Sequence, residues 1–310
     1  MEKRKGLTRR EVLAATAGGV AAAALPWAGF GAEAEGEKAP LKGRINQSAS
    51  RWCYGKVPAD QFYAFCKKLG LKGVDLLGPG EFKKLKEFGL VCTMTSCNSI
   101  PKGFNRTENH EGLIKNLRGA IDATAEAGFP NVICFSGNRE GMADDEGLKN
   151  CAEGLKKIAG YAEEKKVTLC IEYLNSKQHR DYMCDSSQWA FDLVKAVGSP
   201  RFKILYDIYH VAMMEAKIVE KDDPATGKKV RVAEHNIIEQ IKKNTDAIGH
   251  FHTGGFPGRN EIDETQLLDH PAIMRAIAES GFKGYVAHEF VPKGPDPLAS
   301  LEKCARLCDV

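Results

Sequence analysis

"LKNCAEGLKKIAGYAEEKKVTLCIEYLN", residues 148–175, holds two kinds of order in one stretch. Residues 148–166 space their apolar side chains as an amphipathic helix does. Residues 167–175 open on a nearly continuous apolar run, "VTLCI", and then reach Glu172. A strand with so little alternation has both faces covered, as in a parallel sheet flanked by helices. The stretch is therefore one helix–strand unit, and the fold depends on how often that unit recurs.

It recurs along the chain from residue 43. The pattern predicts strands at 44–50, 72–78, 90–97, 131–137, 167–175, 202–210, 247–255 and 283–290. Helices are predicted at 60–70, 80–89, 111–128, 148–166, 186–198, 233–246, 270–281 and 297–309. Gly70 supplies a C-cap signal, and the helix at 186–198 opens on serines that suit an N-cap. Eight strand–helix units in about 265 residues are the size and grammar of a (β/α)8 TIM barrel, an α/β fold in a single domain spanning 43–310. A doubly wound open sheet is the alternative, and no GxGxxG follows the first strand to support it.

The first 34 residues stand apart. A basic start, the pair Arg9–Arg10, an Ala/Gly-rich run from Val12 to about Phe30 and the small residues Ala32–Ala34 read as a twin-arginine export signal, residues 1–34. An uncleaved membrane anchor is the competing reading; the run is only moderately apolar and contains Pro26. The expected location is periplasmic or extracellular, with no stable membrane anchor after cleavage. Without the five basic and three acidic side chains of that segment, the net charge falls from +3 to +1. A chain so nearly neutral has no electrostatic footprint for nucleic acid. Of the ten cysteines, Cys92, Cys134 and Cys170 sit inside apolar strands, Cys304 and Cys308 share one helix face, and no CxxC occurs. Most are read as free thiols.

In a barrel, chemistry collects at the C-terminal ends of the strands. Strand five ends on Glu172, strand six on Asp207 and His210, strand seven ("IGHFHTGG") on His250 and His252, and strand eight ("YVAHEF") on His288 and Glu289. The separations Glu172 to Asp207, Asp207 to His252 and His252 to Glu289 are 35, 45 and 37 residues, about one unit each. A lone Glu on a barrel strand is more often an ion-pair partner, and a lone His a hydrogen-bonded core residue. Placement on four successive strands is the argument for more. Three buried carboxylates would repel one another without a cation. With one imidazole they form a mostly hard-oxygen set suited to one divalent ion, Mn²⁺, Mg²⁺ or Co²⁺, with Zn²⁺ less expected. His252, one pleat nearer the rim, is the expected ligand, and His250 a hydrogen-bonded residue beneath it.

The segments "IEYLN", "DIYH", "HFHTGGFPGR" and "HEF" resemble the xylose isomerase-like sugar isomerase/epimerase barrels over residues 43–310, closest to hydroxypyruvate isomerase and next to the ketose 3-epimerases. The resemblance implies metal ligands at Glu172, Asp207, His252 and Glu289, and a proton-transfer pair, Glu172 and Glu289. It implies substrate contacts from His210, three residues after the Asp, and from Arg259 in the following loop. It further implies an intramolecular oxidoreductase acting on a small hydroxycarbonyl or sugar substrate through a metal-bound cis-enediolate. One position departs. The ketose 3-epimerases carry a further glutamate six residues after the first ligand, and here that residue is Gln178. An epimerase, or a dehydratase of a sugar or inositol on the same site, is the runner-up.

The remaining features are less specific. The charged insert 215–235 is a lid, a contact between copies in a homo-oligomer, or a solvated loop. Arg139 meets a carboxylate or phosphate ligand, or pairs with Glu140 or Asp144. Trp52 is a pocket wall or ordinary packing, and His110 is expected on the surface at a helix start. A zinc-cluster nuclease on the same barrel would need more strand-end ligands and a basic face. A noncatalytic exported sugar-binding barrel would not need two glutamates on a metal.

Overall fold

Ten strands lie among the described residues, most of the barrel strands on the apolar runs of the sequence. They are β1 (Asn46–Ser50), β2 (Gly73–Leu77), β3 (Val91–Thr95), β4 (Asn131–Cys134), β5 (Thr168–Glu172), β6 (Phe202–Asp207), β7 (Lys217–Asp222), β8 (Lys229–Glu234), β9 (Ile248–Thr253) and β10 (Tyr285–His288). This computed structural model describes residues 39–222 and 227–310, so the export signal expected at 1–34 lies outside the described residues. All the strands except β7 and β8 close into one barrel in the order β1-β10-β9-β6-β5-β4-β3-β2. Neighbours run parallel around the ring. β4 and β5 are buried at every position, as their unbroken apolar sequences require.

The outer layer consists of α1 (Ala59–Leu69), α2 (Phe82–Glu87), α3 (His110–Ala127), α4 (Asp144–Glu164), α5 (Ser187–Val197), α6 (Ile208–Glu215), α7 (Ile237–Asn244), α8 (His270–Glu279) and α9 (Pro297–Leu307). Gly70 ends α1 with a left-handed backbone, φ 93°, and its N–H bonds back to Cys66 and Lys67. Ser186 stands at the N-cap of α5, but its side chain makes no capping hydrogen bond. On β9 the alternation of a strand is plain. Phe251 packs among the outer layer, its ring 4.9 Å from Phe282 and 5.8 Å from Tyr206, while its neighbours His250 and His252 turn the other way, toward Asp75. Truncating Phe251 to Ala would cost about 3–5 kcal/mol.

Three expectations are corrected. The strand predicted over 202–210 stops at Asp207, because the Asp207 carboxylate accepts the His210 backbone N–H at 3.1 Å and starts α6. His210 therefore lies in the first turn of a helix. The insert 215–235 is neither a loop nor all coil: β7 and β8 pair antiparallel from Lys217 with Glu234 to Asp222 with Lys229. Its side chains are mostly exposed, with cross-strand ion pairs at Lys221–Glu234 and Lys229–Asp222. Finally, His110 is buried, not on the surface. Its Nε2 lies 2.8 Å from the Phe104 carbonyl, since the loop before α3 folds over the helix start. Arg139 takes its bland role, bonded to Asp144 and Asp185 at 2.7 Å each, while Glu140 pairs with Arg106 instead. All ten cysteines are free thiols. No helix of the described residues is long and apolar enough to cross a membrane.

Candidate active site

Register brings the strand-end residues together. Glu172 on β5 aligns with Leu205 on β6, two residues short of Asp207. Asp207 aligns with His252 on β9, and His252 aligns with Ala287 on β10, two residues short of Glu289. Each offset is even, so all four side chains point to the same side of the sheet, the barrel interior. One ligand atom from each of Glu172, Asp207, His252 and Glu289 lies within 4.8 Å of the other three, and all four residues are buried. His252 Nδ1 is 2.8 Å from Glu289 Oε2, 3.4 Å from Glu172 Oε1 and 3.9 Å from Asp207 Oδ2.

Asp75, on the opposite side of the ring, was not among the residues expected from sequence. Its Oδ2 accepts from His252 Nε2 at 2.7 Å, and its Oδ1 lies 3.1 Å from His250 Nε2. Asp75 is fully buried and bonded as well by Thr93 Oγ1 at 2.7 Å. The ladder between β2 and β3 slips on either side of it, and Leu76 next to it takes φ 57°. On the side of β1 the ladder is regular, Gly73 with Ser48 and Asp75 with Ser50, so ordinary strand alternation points the carboxylate inward. The one signal in the sequence was an acid inside the apolar strand "GVDLL". His250 occupies the place expected of it, buried beside Asp75 rather than among the three strand-end carboxylates.

Charge in this pocket is set by competition between burial and neighbours. Burial pushes the Glu172 carboxyl up to about 7 and that of Asp207 up to about 6, with Glu289 adding to both. At Glu289 burial pulls the same way, but the His252 imidazole and the Arg259 guanidinium override it and hold the carboxyl well below its usual range. Burial would lower His252; Glu289 and Asp75 outweigh it and hold the imidazole well above the ordinary histidine range.

Arg259 follows β9 in the loop and turns back over the site. Its guanidinium is 2.6 Å from Glu289 Oε2 and 3.5 Å from Asp207 Oδ2, and it lies 5.5 Å from the ring centres of both Trp52 and Tyr209. Trp52 also donates its indole N–H to Glu289 Oε1 at 2.6 Å, so this tryptophan is part of the site. His210 is fully buried, with Nε2 3.5 Å from Asp207 Oδ2. The backbone N–H of Asn175 donates to its Nδ1 at 3.3 Å, and the Asn175 side-chain amide contacts the same nitrogen. Nδ1 is thus the acceptor and Nε2 carries the proton. Burial holds His210 well below the usual range, so it stays neutral. Gln178, at the departing position, is bonded to Tyr209 Oη at 2.9 Å and to Asn175.

Above these groups opens a cavity of about 510 Å³. Glu172, Glu289 and Arg259 are part of its lining, and Leu76, Ile133, Phe135 and Leu174 give it apolar walls. His179, which the sequence did not flag, also lines it and sets its ring 5.3 Å from that of His210.

The donor set fits a divalent cation. With Nε2–H committed to Asp75, His252 presents Nδ1 to three carboxylates, and that buried nitrogen has no hydrogen-bond partner. A carboxylate fixing the far nitrogen of an imidazole is the usual support for a metal-binding histidine. Three carboxylate oxygens and one imidazole nitrogen suit a hard ion.

A family model described as "Xylose isomerase-like TIM barrel" matches residues 59–309. The hydroxypyruvate isomerase of Escherichia coli (strain K12) is 24% identical over 178 residues, which are 57% of this chain and 61% of that protein. The crystal structure of AP endonuclease, family 2, from Brucella melitensis matches with a TM-score of 0.70 and 20% identity, covering 83% of this chain and 97% of that one. The 3-keto-D-glucoside 4-epimerase of E. coli, in its apo form, matches with a TM-score of 0.66 and 16% identity, covering 85% and 98%. At these identities the two structures share the fold alone.

Proposed function

The chain belongs to the xylose isomerase-like TIM-barrel family, and on that premise we propose that it is a divalent-metal-dependent isomerase of a small α-hydroxycarbonyl compound, hydroxypyruvate or a ketose. The observation that carries this reading is the convergence of Glu172, Asp207, His252 and Glu289 beside an open cavity of substrate size. A hard divalent ion held by those four residues would supply Lewis-acid polarisation of the substrate carbonyl.

The protein's own groups do the rest. Glu172 or Glu289 removes the proton on the carbon next to the carbonyl, and the C–H electron pair moves into a cis-enediolate. The same carboxyl, or its partner across the site, returns a proton to the neighbouring carbon while the hydroxyl proton passes to the former carbonyl oxygen, so the redox change is internal and nothing else is consumed. His210, neutral with its proton on Nε2, donates toward a substrate oxygen. Arg259, held between two aromatic rings, balances negative charge that builds up on the substrate. The apolar walls keep bulk water from quenching the carbanion. An epimerase uses the same pair of glutamates, but returns the proton to the opposite face of one carbon. Gln178 in place of the epimerases' further glutamate favours isomerisation. The segment 1–34 supports export by the twin-arginine route, which fractionation of cells expressing an Arg9→Lys/Arg10→Lys variant would test.

The activity test is a screen of ketoses and 2-keto-3-hydroxy acids with Mn²⁺ in D₂O, reading solvent exchange into the carbon-bound position. Wild type exchanges deuterium. Glu289→Gln loses exchange while still binding Mn²⁺. Absence of exchange with every compound in the Mn²⁺-loaded wild type would favour a binding protein.

A further inference from the structure

A second cluster of metal-binding groups lies outside the barrel, between β10 and α9. His288 precedes Glu289 but points the other way, and meets Cys304 on α9 and Cys308, which caps the C-terminus of α9 one turn later. All three residues are fully buried, and their ligand atoms lie within 4.8 Å of one another. His288 Nδ1 is 3.3 Å from Cys304 Sγ.

The imidazole is prepared in a specific way. Gln47 Oε1 on β1 lies 2.7 Å from His288 Nε2, and an amide oxygen only accepts, so Nε2 carries the proton. The lone pair is then on Nδ1, facing the two sulfurs. An imidazole whose far N–H is tied to a fixed acceptor is the arrangement that supports metal ligation. Two thiols on one helix turn and an oriented nitrogen are soft donors, unlike the oxygens of the barrel site.

We propose that His288 Nδ1, Cys304 Sγ and Cys308 Sγ form a second metal site, for a soft closed-shell cation, copper(I) or zinc(II). Binding converts both thiols to thiolates and releases two protons. With a neutral imidazole, the zinc complex has no net charge, which suits a buried position. Three donors sealed from water match the low coordination that copper(I) accepts; zinc would need a fourth ligand, a trapped water. Because none of the three side chains is exposed, the ion enters as the chain folds. Its role is structural: it pins α9 to the end of β10, one residue from Glu289.

The test starts with untagged protein from cells grown with added zinc or copper, then dialysed against EDTA, with retained metal measured by mass spectrometry. Wild type retains about one zinc or copper per chain. Cys304→Ser/Cys308→Ser loses it, and Glu172→Gln, which alters only the barrel site, keeps it. No retained zinc or copper in wild type, or an ion kept by the double variant and lost by Glu172→Gln, overturns the proposal. Should the double variant fail to fold, wild type refolded with Co²⁺ decides. An intense near-ultraviolet thiolate-to-cobalt band supports the site, and weak bands alone sink it.

Discussion

Asp75 Oδ2 stands 2.7 Å from His252 Nε2, a contact that spans the barrel interior from β2 to β9. It fixes which nitrogen of His252 faces the carboxylates. Asp75→Asn keeps an acceptor but removes its charge, so Mn²⁺ affinity should fall about 10–100-fold with the fold intact. Calorimetric titration with Mn²⁺, alongside circular dichroism, measures both. Unchanged affinity would mean that His252 does not ligate through Nδ1.

Cation binding should be tied to proton release. In the metal-free pocket His252 is held well above the usual range, Glu172 is pushed up to about 7 and Asp207 up to about 6. A cation needs all three deprotonated, so protons compete with it more as pH falls. Mn²⁺ affinity should drop at least tenfold between about pH 8 and pH 6. Titrations in two buffers of different ionisation enthalpy count the protons released. A pH-independent affinity would remove these residues from the ligand set.

Asn175 positions His210 without touching the carboxylates. Asn175→Leu removes the side-chain contact to Nδ1 and leaves only the longer backbone N–H, at 3.3 Å, to hold the ring and its tautomer. We expect kcat to fall about tenfold or more, with Mn²⁺ affinity within about twofold of wild type. Steady-state kinetics on whichever substrate exchanges in D₂O, with metal titration beside them, separate the two effects. Equal losses of both would instead indicate local collapse.

Acid should weaken the fold through His270. This residue opens α8 fully buried, and burial lowers its imidazole to about 4. The folded state therefore holds it neutral while the unfolded chain takes up a proton below about 6.5. Stability from this group is complete above about pH 6.5 and is lost as pH falls toward 4, amounting to roughly 2 kcal/mol by pH 5. Urea midpoints at pH 7.5 and 5, compared between wild type and His270→Gln, show it: the variant has the shallower pH dependence.

Both the barrel and the four strand-end residues were legible because each lies at the end of its own apolar run, where period and position coincide. What escaped had a physical reason. Asp75 sits in the middle of β2 and meets the site only after the ring closes, so no spacing along the chain connects it to His252. His179 enters from a loop, whose course apolar patterning does not constrain; Trp52 stands on a short 3-10 turn after β1, so its two readings, pocket wall or packing, stayed open in the sequence. β6 was read too long because Ile208, Tyr209, Val211 and Ala212 extend the apolar run; the capping carboxylate of Asp207, not hydrophobicity, turns the backbone into α6. The hairpin β7–β8 was hidden by its charge, since neither of its faces is buried to give a clear alternation.

The four carboxylate and imidazole donors come from β5, β6, β9 and β10, one contiguous half of the ring, while Asp75 belongs to the other half. No two of the four are close in sequence, so the unfolded chain offers a cation no comparable grip. An ion bound there would be a clasp that draws its free energy from closure, stabilising only the finished barrel in proportion to the logarithm of its concentration. Asp75, bonded to the back of His252, would carry that tension across to β2 and make the half that holds no ligand feel the ion as well.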